Sequence, residues 1–102
     1  MPRKRKSKIE LIDYDSARYL RSDKAISEYL KAAFENANGD PAVIINALNV
    51  ASRARGILQL SNETGLTRAG LYRALSANGN PSVATLLKVL DALHVKLTVK
   101  AA

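Results

Sequence analysis

The sequence predicts a mainly α domain of five main helices, with an N-terminal helical extension and one or two short terminal strands. Three observations lead to that expectation. Apolar residues recur at three- and four-residue spacing in successive segments, as in helices with one buried face. Capping residues and glycine stops bound those segments. A clear period-two alternation appears only after His94.

Residues 1–8, MPRKRKSK, hold no apolar side chain beyond Met1 and Pro2 and are expected to be a disordered basic tail. Residues 9–40 form an N-terminal extension. Ile9, Leu11 and Tyr14 alternate over a short stretch that suits a strand, and 15–20 suits one helical turn capped by Asp15. Ser22 is an N-cap, and Asp23 complements the positive helix end. Ile26, Tyr29, Leu30, Ala33 and Phe34 then make one apolar stripe, ending near Asn38 and Gly39.

Residues 41–102 form the second unit. Asp40 and Pro41 open its first helix, which carries Val43, Ile44, Ala47, Leu48 and Ala51 on one side. Ile45 and Val50 widen that face, so much of the helix should be buried before it ends near Arg55 and Gly56. A short helix over 57–64 is stopped by Gly65, where a left-handed turn suits glycine. Thr67 caps a helix reaching about Ala77, with Leu71 and Leu75 inward. Asn78, Gly79, Asn80 and Pro81 form a turn. Ser82 caps a last helix with Val83, Leu86, Leu87, Leu90 and Leu93 as its stripe. Val95, Leu97 and Val99 alternate with Lys96, Thr98 and Lys100, which reads as a terminal strand. Such a strand needs a partner, either residues 9–13 or the same strand of a second chain.

A chain of 102 residues suits one small domain with a modest core. Cysteine is absent, which excludes disulfides and thiolate metal sites and fits a reducing cytoplasm. His94 is the lone histidine and cannot form a metal cluster by itself. No apolar run approaches the ~20 residues of a membrane span. No apolar h-region follows the basic start, as a secretory signal would require. Asp13 and Asp15 have no base, nucleophile or pocket beside them and read as caps; His94 reads as a helix C-cap. The glycines are isolated and make no phosphate-cradling loop. No enzyme chemistry is expected, and no cofactor.

The net charge is +7, unevenly spread. Residues 1–8 carry +5, residues 9–40 carry four basic and seven acidic residues, and residues 41–102 carry seven basic and two acidic ones. A basic unit suits a polyanion, whose neutralised phosphates release counterions. The acidic extension would be repelled by the same partner.

The segment LQLSNETGLTRAGLYRAL, residues 58–75, has the layout of a helix-turn-helix. Leu60 and Ser61 face the second helix, and position 61 must be small where the helices cross. Gly65 turns the chain, Leu66 plugs the turn, and Leu71 anchors the second helix. Thr67, Arg68, Ala69, Tyr72 and Arg73 are then left outward, where base edges of the major groove come within reach. Arg68 or Arg73 suits guanine, Ala69 a thymine methyl, and Thr67 a phosphate through its backbone N–H. Gly70 sits mid-helix at a cost of about 1 kcal/mol against alanine, for close approach either to the groove or to a packed neighbour.

The order of helix, glycine and helix, then turn and capped helix, resembles the five-helix Cro/C1-type (XRE) repressor domains. More specifically, RARG (53–56), ETGLTRAGLYRALSANGNPS (63–82) and LLKVLDALHVKL (86–97) resemble the addiction-module antidote proteins, a HigA-like antitoxin group. DYDSARYL (13–20), ISEYLKAAFE (26–35) and GDPAVIINAL (39–48) follow the same order. The resemblance spans roughly residues 10–97. It implies a RelE/ParE-like toxin as partner, repression of the shared operon through double-stranded operator DNA, and DNA contact at Thr67, Arg68, Ala69, Tyr72 and Arg73. Two departures stand out. Ser61 replaces a usual alanine, which is benign if its hydroxyl bonds back to a carbonyl. Ile57 and Leu58 replace more polar residues, so Gln59 becomes the substitute for a phosphate contact.

The acidic extension then has a purpose, since such toxins are generally basic. Tyr29 and Phe34 are expected to pack on helix 41–55, and the toxin surface is expected over Tyr14 to Arg21, with Tyr14, Arg18, Tyr19, Leu20 and Arg21 as contacts. A homodimer is expected, because one short recognition helix touches too few base pairs. Two other readings stay open: a stand-alone transcriptional regulator, and a protein-interaction module whose helix-turn-helix does not bind DNA.

Overall fold

The computed structural model describes Ala17 and residues 19–102. Among these it has five helices and no strand: α1 (Asp23–Asn36), α2 (Pro41–Arg55), α3 (Ile57–Thr64), α4 (Arg68–Ala74) and α5 (Val83–Ala92). The basic tail, the strand expected over 9–13 and residues 15, 16 and 18 of the turn expected over 15–20 lie outside the described residues.

Four of the expected side-chain caps are made, and the fifth, Asp15, lies outside the described residues. Ser22 Oγ accepts from the Ala25 N–H, Asp40 Oδ1 from Ala42, Thr67 Oγ1 from Gly70 and Ser82 Oγ from Thr85, at 2.9–3.1 Å. Each satisfies one donor that a helix start leaves without an intrahelical acceptor, worth about 1 kcal/mol. Gly56 ends α2 and begins α3 with no side-chain cap, its N–H bonding Ser52 O at 2.9 Å.

The core is one cluster. Ile26 and Leu30 enter from α1, and Leu48, Val50 and Ala51 from α2. Leu60 comes from α3, Leu71 from α4, and Val89 and Leu90 from α5, with Leu75 and Leu93 just past those last two helices. α3 is central, packed against α2, α4 and α5, while α1 lies along α2. Tyr29 and Phe34 are partly buried against this core.

The structure corrects three expectations. α4 stops at Ala74, short of Ala77. The chain folds back there, with Gly79 N–H bonding Ser76 O at 2.8 Å. A Cβ on Gly79 would lie 2.1 Å from Ala74 O, so only glycine fits beneath the helix end. Gly79→Ala should destabilise the domain by about 2 kcal/mol, through forced backbone movement. Denaturant unfolding checks this, and an unchanged midpoint would refute the packing at that turn.

The buried face of α5 is also rotated from the one expected. Val83 and Leu87 are exposed, while Val89 is wholly buried with Leu90 and Leu93. Finally, residues 95–100 form no strand, because no described segment pairs with them. α5 instead ends in a Schellman closure, with His94 N–H bonding Asp91 O at 3.0 Å and Val95 N–H bonding Leu90 O at 2.9 Å. His94 takes the left-handed position (φ 62°) that glycine usually fills.

Candidate nucleic-acid interface

The α3–α4 corner is held by side chains of its own sequence. Gly65 takes the left-handed conformation (φ 78°) and returns its N–H to Ser61 O. Ser61 Oγ donates to Leu66 O at 2.5 Å. The hydroxyl thus finds a carbonyl, as a serine at this position requires to be benign, by reaching forward across the turn. Thr64 Oγ1 donates to Leu60 O at 2.7 Å and accepts from the Leu66 N–H at 3.2 Å. Leu60 and Leu71 are wholly buried, and Leu66 packs against the core beneath the turn. Both hydroxyls therefore satisfy backbone groups that the turn leaves outside the helices.

With the inner side pinned, the other side of α4 faces solvent. Thr67, Arg68, Ala69, Tyr72 and Arg73 are all exposed, Tyr72 by 53%. Arg68 and Ala69 lie in the first turn, with Tyr72 and Arg73 one turn on. Gly70 is half-buried, and an added Cβ would meet Thr67 Oγ1 at 3.0 Å. Its nearest constraint is thus the cap hydroxyl of its own helix. Gln59 is exposed on α3, but its amide donates to Glu63 Oε2 at 3.1 Å, a bond that a phosphate contact would have to displace. Ile57 is partly buried against the core, which accounts for an apolar residue at that helix start; Leu58 is exposed.

The sequence reading missed the support behind α4. Asn49 on α2 donates its amide to Leu75 O at 3.1 Å, taking up a carbonyl at the end of α4, and its own oxygen accepts from Arg53 Nε at 2.9 Å. A half-buried asparagine between buried Leu48 and Val50 was the only local signal.

A second cluster joins elements far apart in sequence. Arg55 at the end of α2 bonds the Asp23 carboxylate at the start of α1, and His94 Nδ1 lies 2.7 Å from the other Asp23 oxygen. Arg55 Nη2 lies 2.9 Å and 3.0 Å from the two ring nitrogens of His94, so the guanidinium and the imidazole both crowd the Asp23 carboxylate. The bond from His94, and then that from Arg55, holds the Asp23 carboxyl below its ordinary value. A carboxyl depressed in the folded state adds stability above its unfolded pKa, and that stability is lost as pH falls through the folded value. The melting midpoint should therefore drop on acidification below about pH 4. Asp23→Asn should flatten that limb and leave neutral-pH helicity unchanged; an identical acid limb in both proteins would count against the cluster.

Of the residues expected to meet a protein partner, Tyr14 and Arg18 lie outside the described residues. Tyr19 is 77% exposed and Arg21 is exposed. Leu20 is only 8% exposed and belongs to the core, so its side chain is spent inside the fold rather than on a partner. Among the described residues there is no group of His, Asp and Glu fit to hold a metal ion, and no helix is long and apolar enough to cross a membrane.

The family described as "Probable addiction module antidote protein" matches residues 10–101. A protein of Haemophilus influenzae, described as uncharacterized, is 38% identical over 91 residues, covering 89% of this chain and 92% of that protein. The chain matches no solved structure. With nearly the whole domain matched, including both helices of the corner and the tail after α5, the chain belongs to the family of probable addiction module antidote proteins.

Proposed function

We propose that the protein is the antitoxin of a type II toxin–antitoxin module and represses its own operon. In this reading α3 and α4 form a Cro/C1-like helix-turn-helix, with α4 in the major groove of operator DNA. Thr67, Arg68, Ala69, Tyr72 and Arg73 meet the DNA. A homodimer reads two half-sites about one helical turn apart, in the cytoplasm at the nucleoid. The extension from Tyr14 to Arg21, less Leu20, engages a basic RelE/ParE-like toxin.

The observation that carries this reading is that Thr67, Arg68, Ala69, Tyr72 and Arg73 are all exposed at the start and along α4, while Leu71 of the same helix is wholly buried. The surplus of basic residues in 41–102 supports the same partner.

The test is a gel shift on DNA from upstream of the gene, with unrelated DNA in excess. A retarded band that resists the competitor is expected; equal loss to any DNA would leave only the protein-interaction reading. Copurification with the product of the neighbouring reading frame separates an antitoxin from a stand-alone regulator. A neighbour unlike any toxin would defeat the antitoxin reading.

A further inference from the structure

Beyond α5, residues 95–100 begin beside the first residue of α1, where His94 meets Asp23. They then border a groove of about 720 Å³, which α1 lines as far as Glu35 and to which Leu30 and Phe34 give an apolar floor. After the Val95 N–H, no backbone group of residues 96–102 is hydrogen-bonded within the described residues. The apolar side chains become steadily less covered along the tail: Val95 packs on the core, Leu97 is 50% exposed and Val99 is 96% exposed. Among the described residues the tail therefore has neither a strand partner nor cover for its last two apolar residues.

We propose that the partner is a second copy of this chain, with residues 95–99 of the two copies paired antiparallel about a two-fold axis at Leu97. This deepens the dimeric reading above and rests on it. Alternation and charge together select the register. Centring on Leu97 places Leu97 against Leu97, and the exposed Val99 of each copy against the core-packed Val95 of the other. All three apolar positions then share one face. On the opposite face Lys96 meets Thr98, and Lys100 of one copy comes to the His94–Asp23 end of the other, where the carboxylate is half exposed. Centring on Thr98 would instead set Lys96 directly against Lys100, an unfavourable like-charge pair. The contact uses the same patch on both copies and so closes on itself.

The chain has no cysteine, so single substitutions report the register cleanly. Directly opposed residues have Cα atoms about 4.5–5.5 Å apart, within disulfide range, whereas the two Thr98 Cα atoms would be about 8 Å apart. The full-length protein carrying Leu97→Cys should form a disulfide dimer under mild oxidation at least about tenfold faster than the protein carrying Thr98→Cys. Leu97→Glu should convert the dimer to monomer in sedimentation, with unchanged helical circular dichroism. Leu11→Glu, placed in the Leu97→Cys background, should leave the cross-link intact. Equal cross-linking at 97 and 98, a dimer that survives Leu97→Glu, or a cross-link lost with Leu11→Glu would each overturn the proposal, the last in favour of the N-terminal segment as occupant. The cross-link needs no DNA. If it forms without operator binding, the pairing stands and the DNA reading falls. If a dimer binds operator but does not cross-link, the reverse holds.

Discussion

Arg68→Ala combined with Arg73→Ala is expected to abolish preference for operator DNA while leaving the fold intact. Both side chains are exposed, so removing them should change stability by no more than about 0.5 kcal/mol. A bidentate arginine–guanine pair supplies about 1–3 kcal/mol of discrimination. Losing two from each half-site consumes most or all of the ~4–10 kcal/mol that separates specific from non-specific binding. Phosphate contacts elsewhere should persist, so weak salt-sensitive binding to any DNA should remain. Competition gel shifts at two salt concentrations measure both quantities. Specific binding that survives the double substitution would move the interface away from α4.

Leu71→Ala should have the largest effect on stability. The side chain is wholly buried in a helix of only seven residues. Removing it loses transfer energy and leaves a cavity, at a cost of about 2–5 kcal/mol. For a domain of this size that lowers the thermal midpoint by roughly 10–40 °C. Two turns of helix cannot persist in water unaided, so operator affinity should fall even at temperatures where the rest of the domain is folded. Leu71→Met keeps most of the volume and should cost less than about 1.5 kcal/mol. Thermal melts by circular dichroism decide it, and a midpoint shared by Leu71→Ala and the parent would show that α4 is not anchored there.

Local chemistry made much of this protein legible before any fold was known. Caps at Ser22, Asp40, Thr67 and Ser82 and the left-handed stop at Gly65 act within a few residues of themselves, so their partners are close in the chain whatever the fold becomes. The burial of Leu71 and Leu75 was readable in the same way, and with it the exposure of Arg73, which stands opposite them on the helix. The basic and acidic division of the chain was likewise plain in its composition.

Other features depended on neighbours that only folding brings together. Leu20 and Val89 went inside while Val83 and Leu87 stayed out, because periodicity marks a stripe but the helices packed against it choose its orientation. The end of α4 was set by Asn49, a residue 26 positions away that takes Leu75 O, and by a turn with no room for a side chain at Gly79. The meeting of Asp23 and His94 spans 71 positions and leaves no trace in local spacing. The tail shows the same division from the other side. Its alternation was readable, yet a strand exists only where another backbone completes its hydrogen bonds, and no described part of this chain does so.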